Sequence, residues 1–108
     1  MTPLRFKKEV EFEKGKTYSV CLRGARRYET NDEFDLSLYT PECWEKPKEI
    51  ANIVSQKQLR FSDMGNRHCL DNYDNSAQSW EGLLEAMNNI YSDFEMNEIV
   101  TLLRFEVV

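Results

Sequence analysis

Phe34-Asp35-Leu36-Ser37-Leu38-Tyr39-Thr40-Pro41-Glu42-Cys43-Trp44 is the stretch around which the rest of the chain is organised. Phe34, Leu36 and Leu38 alternate with Asp35, Ser37 and Tyr39. Successive strand side chains point to opposite faces, so the run reads as a half-buried strand near the centre of a sheet. Thr40-Pro41 ends it, because proline brings no amide hydrogen to a ladder and holds the residue before it extended. Trp44 follows as a large apolar anchor, expected to fold back over the sheet as an aromatic plug.

Upstream, Leu4, Phe6, Val10 and Phe12 alternate with Arg5, Lys7, Glu9, Glu11 and Glu13, which reads as a first strand with Lys8 breaking its apolar face at an edge. Gly15 supplies a turn, and Tyr18, Val20 and Leu22 form the inward face of a second strand, paired with the first as a hairpin. Downstream, Pro47 suits a first helical turn, and Ile50, Ile53 and Val54 recur at three and four residues, so a short helix is expected over 47–57. Leu59 and Phe61 mark a brief extended piece, and 67–79 is polar and loop-like. Trp80, Leu83, Leu84, Met87, Ile90 and Tyr91 then form a continuous apolar helical stripe. Ser79 or Ser76 caps its start, and Glu81 suits the positive end of its dipole. From Ile99 to Val108 apolar residues occupy both faces of a last strand, as an interior position requires. The whole predicts one α+β domain over 1–108: a single, mainly antiparallel sheet of an N-terminal hairpin, a third strand and a central C-terminal strand, with two helices on one face.

The 108 residues suffice for one core, and 41% hydrophobic with 31% charged residues is an ordinary globular balance. No apolar run reaches the roughly 18–20 residues of a membrane span. The N-terminus lacks an apolar signal region, and Cys21, Cys43 and Cys69 are odd in number and widely spaced, which fits reduced thiols in a cytoplasm. The net charge of −5 is uneven: residues 1–27 hold eight Lys or Arg against three Glu, whereas 28–108 hold six against sixteen acidic residues. No Lys or Arg lies between Arg67 and Arg104, an interval holding Asp71, Asp74, Glu81, Glu85, Asp93, Glu95 and Glu98. Such a surface disfavours nucleic acid and favours a basic protein partner.

Catalytic signals are weak. His68 and Cys69 are adjacent, and adjacent residues on an extended chain point apart, so they are poorly placed as base and nucleophile. Asp71-Asn72-Tyr73-Asp74-Asn75 lacks the spacing and glycine of a calcium loop, and no glycine-rich phosphate cradle exists. The reading is a non-enzymatic protein without cofactor or metal. Arg23, Arg26 and Arg27 beside Tyr28 form a basic patch, which supports a second class of function, a small nucleic-acid-binding or regulatory module.

The run Phe34-x-Leu36-x-Leu38-x-Thr40-Pro41-x-x-Trp44, with Arg67-His68 and Ser79-Trp80-Glu81, resembles the central signature of the immunity protein 8 family of bacterial polymorphic-toxin and contact-dependent-inhibition systems. The resemblance implies a small cytoplasmic α+β protein that binds and neutralises a cognate toxin domain, often a nuclease. Here the Arg-His pair passes quickly through Leu70-Asp71-Asn72-Tyr73-Asp74 to Ser79, where that family continues with a strand and a longer helical insertion. The expected partner is therefore a basic toxin nuclease, met by Asp71, Asp74, Glu81, Glu85, Asp93 and Glu95 with Tyr73 and Tyr91 as aromatic anchors. A phage-encoded inhibitor of a host defence nuclease would use the same physics. A monomer is favoured, with the Leu4–Phe12 edge as the alternative route to a dimer.

Overall fold

In the computed structural model, which describes all of residues 1–108, five strands form one sheet in the order β1-β3-β4-β5-β2. The strands are β1 (Thr2–Arg5), β2 (Thr17–Arg23), β3 (Leu36–Tyr39), β4 (Glu49–Arg60) and β5 (Ile99–Val107). One helix, α1 (Trp80–Ile90), and three single 3-10 turns complete the α+β domain. The sheet is mixed, since β1 runs parallel to β3 while the other pairs are antiparallel.

Alternation along β5 behaves as the sequence predicts, but β3 is not half-buried. Ser37 on its second face and Asp35 just before it are buried too, the Asp35 carboxylate accepting the Asn31 and Ile53 amides. Leu36 and Leu38 have no exposed surface, and β5 buries Leu103, Phe105 and Val107 on one face and Val100 and Leu102 on the other. Each such side chain contributes about 1.5–3 kcal/mol on leaving water. The first face lines the inside of the curled sheet, and the second is covered by Leu83 and Met87 of α1. The Ser79 hydroxyl accepts the Gly82 amide at 3.1 Å, as expected of an N-cap. Gly82 itself is obligatory, because a Cβ there would lie 2.1 Å from the Ser76 carbonyl oxygen.

Three further expectations are corrected. Of the segment expected as a helix over 47–57, residues 49–57 belong to β4 and 47–48 precede it. Its β-branched Ile50, Ile53 and Val54 lose side-chain freedom in a helix and suit a strand, where Ile50 opposite Ser37 and Ile53 opposite Phe105 stand on opposite faces and a bulge follows between Ile53 and Ser55. Val54 is the bulged residue and points to solvent. The N-terminal hairpin does not form either, since β1 and β2 stand at opposite edges of the sheet. Residues 6–16 instead cross the mouth of the curl and bury Phe6 and Phe12, their ring centroids 5.1 Å apart. Trp44, finally, is no plug but is 91% exposed.

The curl brings the two edges together. Ser19 of β2 donates its amide to the Asp71 carbonyl at 2.8 Å and accepts from the Tyr73 amide at 3.0 Å, adding residues 71–73 beyond β2. The Phe6 amide reaches the Tyr39 carbonyl at 2.9 Å, which lengthens β1. Phe6 and Tyr73 then meet edge to face at 4.7 Å, and Lys8 Nζ sits 2.9 Å from Asp74 Oδ1. Side chains close a seam that backbone pairing leaves open.

Candidate functional site

Three of the six carboxylates expected on a docking face, Asp71, Asp74 and Asp93, are paired within the molecule. Arg104 Nε donates to Asp71 Oδ2 at 2.8 Å. Asp74 Oδ1 accepts from Lys8 Nζ, the Ser76 amide and the Ser76 hydroxyl, the last at 2.7 Å. Burial pushes the Asp74 carboxyl up, and these donors more than reverse it, so it titrates below the ordinary aspartate range. Arg23 donates to both oxygens of Glu98, at 2.8 and 3.1 Å, and to Asp93 at 2.9 Å. Both carboxyls are lowered, chiefly by those bonds. Tyr73 packs on Phe6 in the seam, where burial raises its phenol, and Tyr91 lies beneath the Arg23 guanidinium at 5.1 Å. Glu81 and Glu85 on α1 stay exposed, and Glu95 is exposed before β5 with its amide bonded to Glu98. The structure thus divides the predicted residues among the seam, the Arg23 cluster and the helix face.

The basic patch divides as well. Arg23 belongs to the cluster just described, and Arg26 turns its Nε back to the Arg23 carbonyl at 3.0 Å. Gln56 and Gln58 on β4 hold the backbone of Tyr28 and Arg26, so this segment lies across the sheet and leaves Arg27 in solvent. His68 Nδ1 accepts the Gly65 amide at 3.0 Å within a 3-10 turn, and Cys69 is fully buried beside it. Cys21, Cys43 and Cys69 are all free thiols. Burial raises Cys21 to about 12 and raises Cys69 as well.

Another constellation lies at the exit of β3. The parallel register sets Arg5 opposite Tyr39, and the guanidinium carbon stands 5.4 Å from the Tyr39 ring centroid. Beyond Thr40-Pro41 the Cys43 amide turns back to the Thr40 carbonyl at 2.9 Å, and the Lys48 amide closes the loop on Leu38 at 2.7 Å. Between these points the chain carries Trp44 into solvent. A groove of about 350 Å³ opens between Arg5, Phe6, Tyr39, Thr40, Pro41, Cys43 and Trp44. Lys7 follows Phe6 in the chain and Lys46 lies two residues past Trp44, both exposed and without a carboxylate partner. Lys7 and Lys8 also line a second groove of about 280 Å³ that follows the seam past Asp74 and Ser76 to α1.

Glu9 fastens this loop. Its carboxylate accepts the Thr40 hydroxyl at 2.8 Å, the Glu42 amide at 3.3 Å and the Lys48 ammonium. Lys48 above all, with Thr40 and Glu42, holds the Glu9 carboxyl below the usual glutamate range. The Lys48 side chain is only 18% exposed and donates to Glu11 as well, at 2.9 Å, so both carboxylates raise its pKa. Sequence reasoning missed Arg5, Lys7 and Tyr39, whose signal was present as the outward side of the first and third strands. It misread Trp44, whose neighbours Glu42, Cys43, Glu45 and Lys46 offer no apolar period to draw it inward.

Neither a family model nor a curated protein matches the chain. Among solved structures it is similar to the crystal structure of an ASCH domain from Lactobacillus crispatus JV V101, with a TM-score of 0.61 and 16% identity over 86% of this chain. The fold is ASCH-like. The chain spans 65% of the length of that ASCH-domain chain, and at this identity the likeness carries the fold alone. Toxin neutralisation, the function expected from the sequence, is overturned by that likeness: the acidic segment belongs to an ASCH-like sheet and helix. Asp71, Asp74 and Asp93 serve that fold as internal ion-pair partners. No helix of the ASCH-like domain is long and apolar enough to cross a membrane.

Proposed function

We propose that this ASCH-like chain binds single-stranded nucleic acid at the exit of β3, with a base stacked on Trp44 and the adjoining backbone held by Arg5, Lys7 and Lys46. The observation that carries the reading is the 91% exposure of Trp44 at the rim of a groove floored by Tyr39 and Arg5. An indole left in water beside a second aromatic and a guanidinium is a stacking platform, and every base presents a face to it. Arg5 lies over Tyr39, where it can stack on a base or pair with a phosphate. Folding also changes the charge balance that disfavoured nucleic acid in the sequence. Glu9, Glu11, Asp71, Asp74, Asp93 and Glu98 are held by four cations of this chain, Lys8, Arg23, Lys48 and Arg104, whereas Arg5, Lys7 and Lys46 have no carboxylate partner. With Arg5, Lys7 and Lys46 each meeting one phosphate and Glu42 and Glu45 beside Trp44 opposing further ones, the salt slope is about −2.1.

Titration of short fluorescent oligo-uridine and oligo-adenine strands tests the reading. Binding by the native chain should weaken by about 5- to 150-fold in Trp44→Ala, the equivalent of about 1–3 kcal/mol for one stacked base. Failure of both strands to bind, or equal binding by Trp44→Ala, overturns it.

A further inference from the structure

Trp44 projects from a loop with little of its own to hold it. Between the Cys43 amide and Lys48 no residue of the loop makes a hydrogen bond, and the Trp44 indole has none. The loop is fixed at its two ends, and both ends converge on one carboxylate from elsewhere in the chain. Glu9 takes the Thr40 hydroxyl and Glu42 amide at the entry and the Lys48 ammonium at the return. It stands four residues after Arg5, on the segment that supplies Arg5 and Phe6 to the groove.

We infer that Glu9 is the positioning residue of the binding site: a latch that holds the Trp44 loop in register with Arg5 and Tyr39 before any ligand arrives. The inference rests on the nucleic-acid reading for its consequence, but not for its structural content. Glu9 lines neither the groove nor its rim, so it acts through the loop alone. Three donors on one carboxylate confine both ends of the loop at once, and a preorganised loop carries a smaller entropic cost of ordering on binding. Without the latch, the Lys48 ammonium keeps only Glu11, whose own side chain is 89% exposed, and the two loop ends keep only their backbone bonds, Cys43 to Thr40 and Lys48 to Leu38. The binding-competent arrangement then becomes a fraction of the population, and apparent affinity falls by that fraction.

The test compares Glu9→Ala and Glu9→Gln with the native chain by two readouts. The first is the backbone amide order parameters of residues 42–46 in the free protein. These should fall in Glu9→Ala from about 0.85 to below about 0.6, while those of β3 and β5 stay unchanged. The second is affinity for the oligonucleotides, which should weaken about 3- to 10-fold, as expected if the competent population falls to between a third and a tenth. Glu9→Gln keeps a carbonyl acceptor for Thr40 and loses the charge that binds Lys48, so it should be intermediate in both. Unchanged order parameters in Glu9→Ala overturn the latch, as does unchanged affinity despite a loosened loop. If the native chain binds no oligonucleotide while the loop still loosens, the latch stands as a structural device and the nucleic-acid reading is what fails.

Discussion

The two tryptophans of this chain occupy opposite situations. Trp80 opens α1 half-buried, its indole N–H donating to the Phe61 carbonyl at 3.2 Å and its ring 5.4 Å from that of Phe61. Trp44 has no hydrogen bond and almost no cover. Indole is amphipathic, and a folded chain gains by covering its apolar body and pairing its N–H. Trp80 achieves both within the domain, so its role is accounted for by folding. Trp44 achieves neither, on a loop whose ends are held by charged hydrogen bonds, so whatever covers it comes from outside. The charges near each tryptophan differ less sharply: Lys48 at the end of the Trp44 loop is paired with Glu9 and Glu11, whereas Arg5, Lys7 and Lys46 have no carboxylate partner.

The contrast breaks most easily on stability. Trp80→Ala removes a half-buried ring packed against the core beneath the sheet and is expected to cost about 1–3 kcal/mol, while Trp44→Ala should stay within about 0.5 kcal/mol. Denaturant unfolding of the two variants measures both, and a large loss in Trp44→Ala would mean that the indole is structural after all. A smaller effect is expected at Arg23, whose loss removes its bonds to Glu98 and Asp93 and its stacking on Tyr91. Arg23→Ala should lower Tm measurably, whereas Arg26→Ala together with Arg27→Ala should not.

The seam titrates in a defined direction. Asp74 has a folded pKa below its ordinary 3.8, so the stability it contributes is present above that value and is lost as pH falls through the folded pKa. Thermal melts between pH 5 and the acid limit, about pH 2, should show this loss in the native chain and less of it in Lys8→Met. The smallest effect is chemical. With Cys21 pushed up to about 12 and Cys69 sealed in the core, a thiol reagent at neutral pH should label Cys43 first, next to Trp44. Protection of Cys43 by bound oligonucleotide, read by mass spectrometry, would sharpen the assignment of the groove.

What was legible in the sequence is what local periodicity encodes. The stripe from Trp80 to Tyr91 gives α1 with its Ser79 cap, and the two-faced apolar run after Ile99 gives the interior strand β5. The Leu36–Tyr39 alternation gives β3, though Phe34 before it is partly exposed. Segments where tertiary structure changes the period were misread. Ile50 and Ile53 cover opposite faces of a twelve-residue strand and Val54 sits in its bulge, so apolar residues from both faces read as helical spacing. The alternation of Leu4 to Phe12 ran on past β1 because Phe6 and Phe12 fill the mouth of the curl, a burial that needs no partner strand. The candidate site was less visible still, because its meaning depends on pairings across long separations. Lys8 and Asp74 are 66 residues apart, and Arg23 and Glu98 are 75 apart. Without those pairs the late acidic interval reads as a free surface, and the unpaired cations near Trp44 do not stand out.

A titration of the native chain with a short single strand, followed residue by residue through backbone amide resonances, addresses the central claim most directly. Shifts concentrated at Arg5, Lys7, Tyr39 and Glu42–Lys46, weakening with added salt, are expected if the β3 exit is the binding surface. Shifts confined to Arg26 and Arg27 or to the outer face of α1, or no shifts at all, would contradict it.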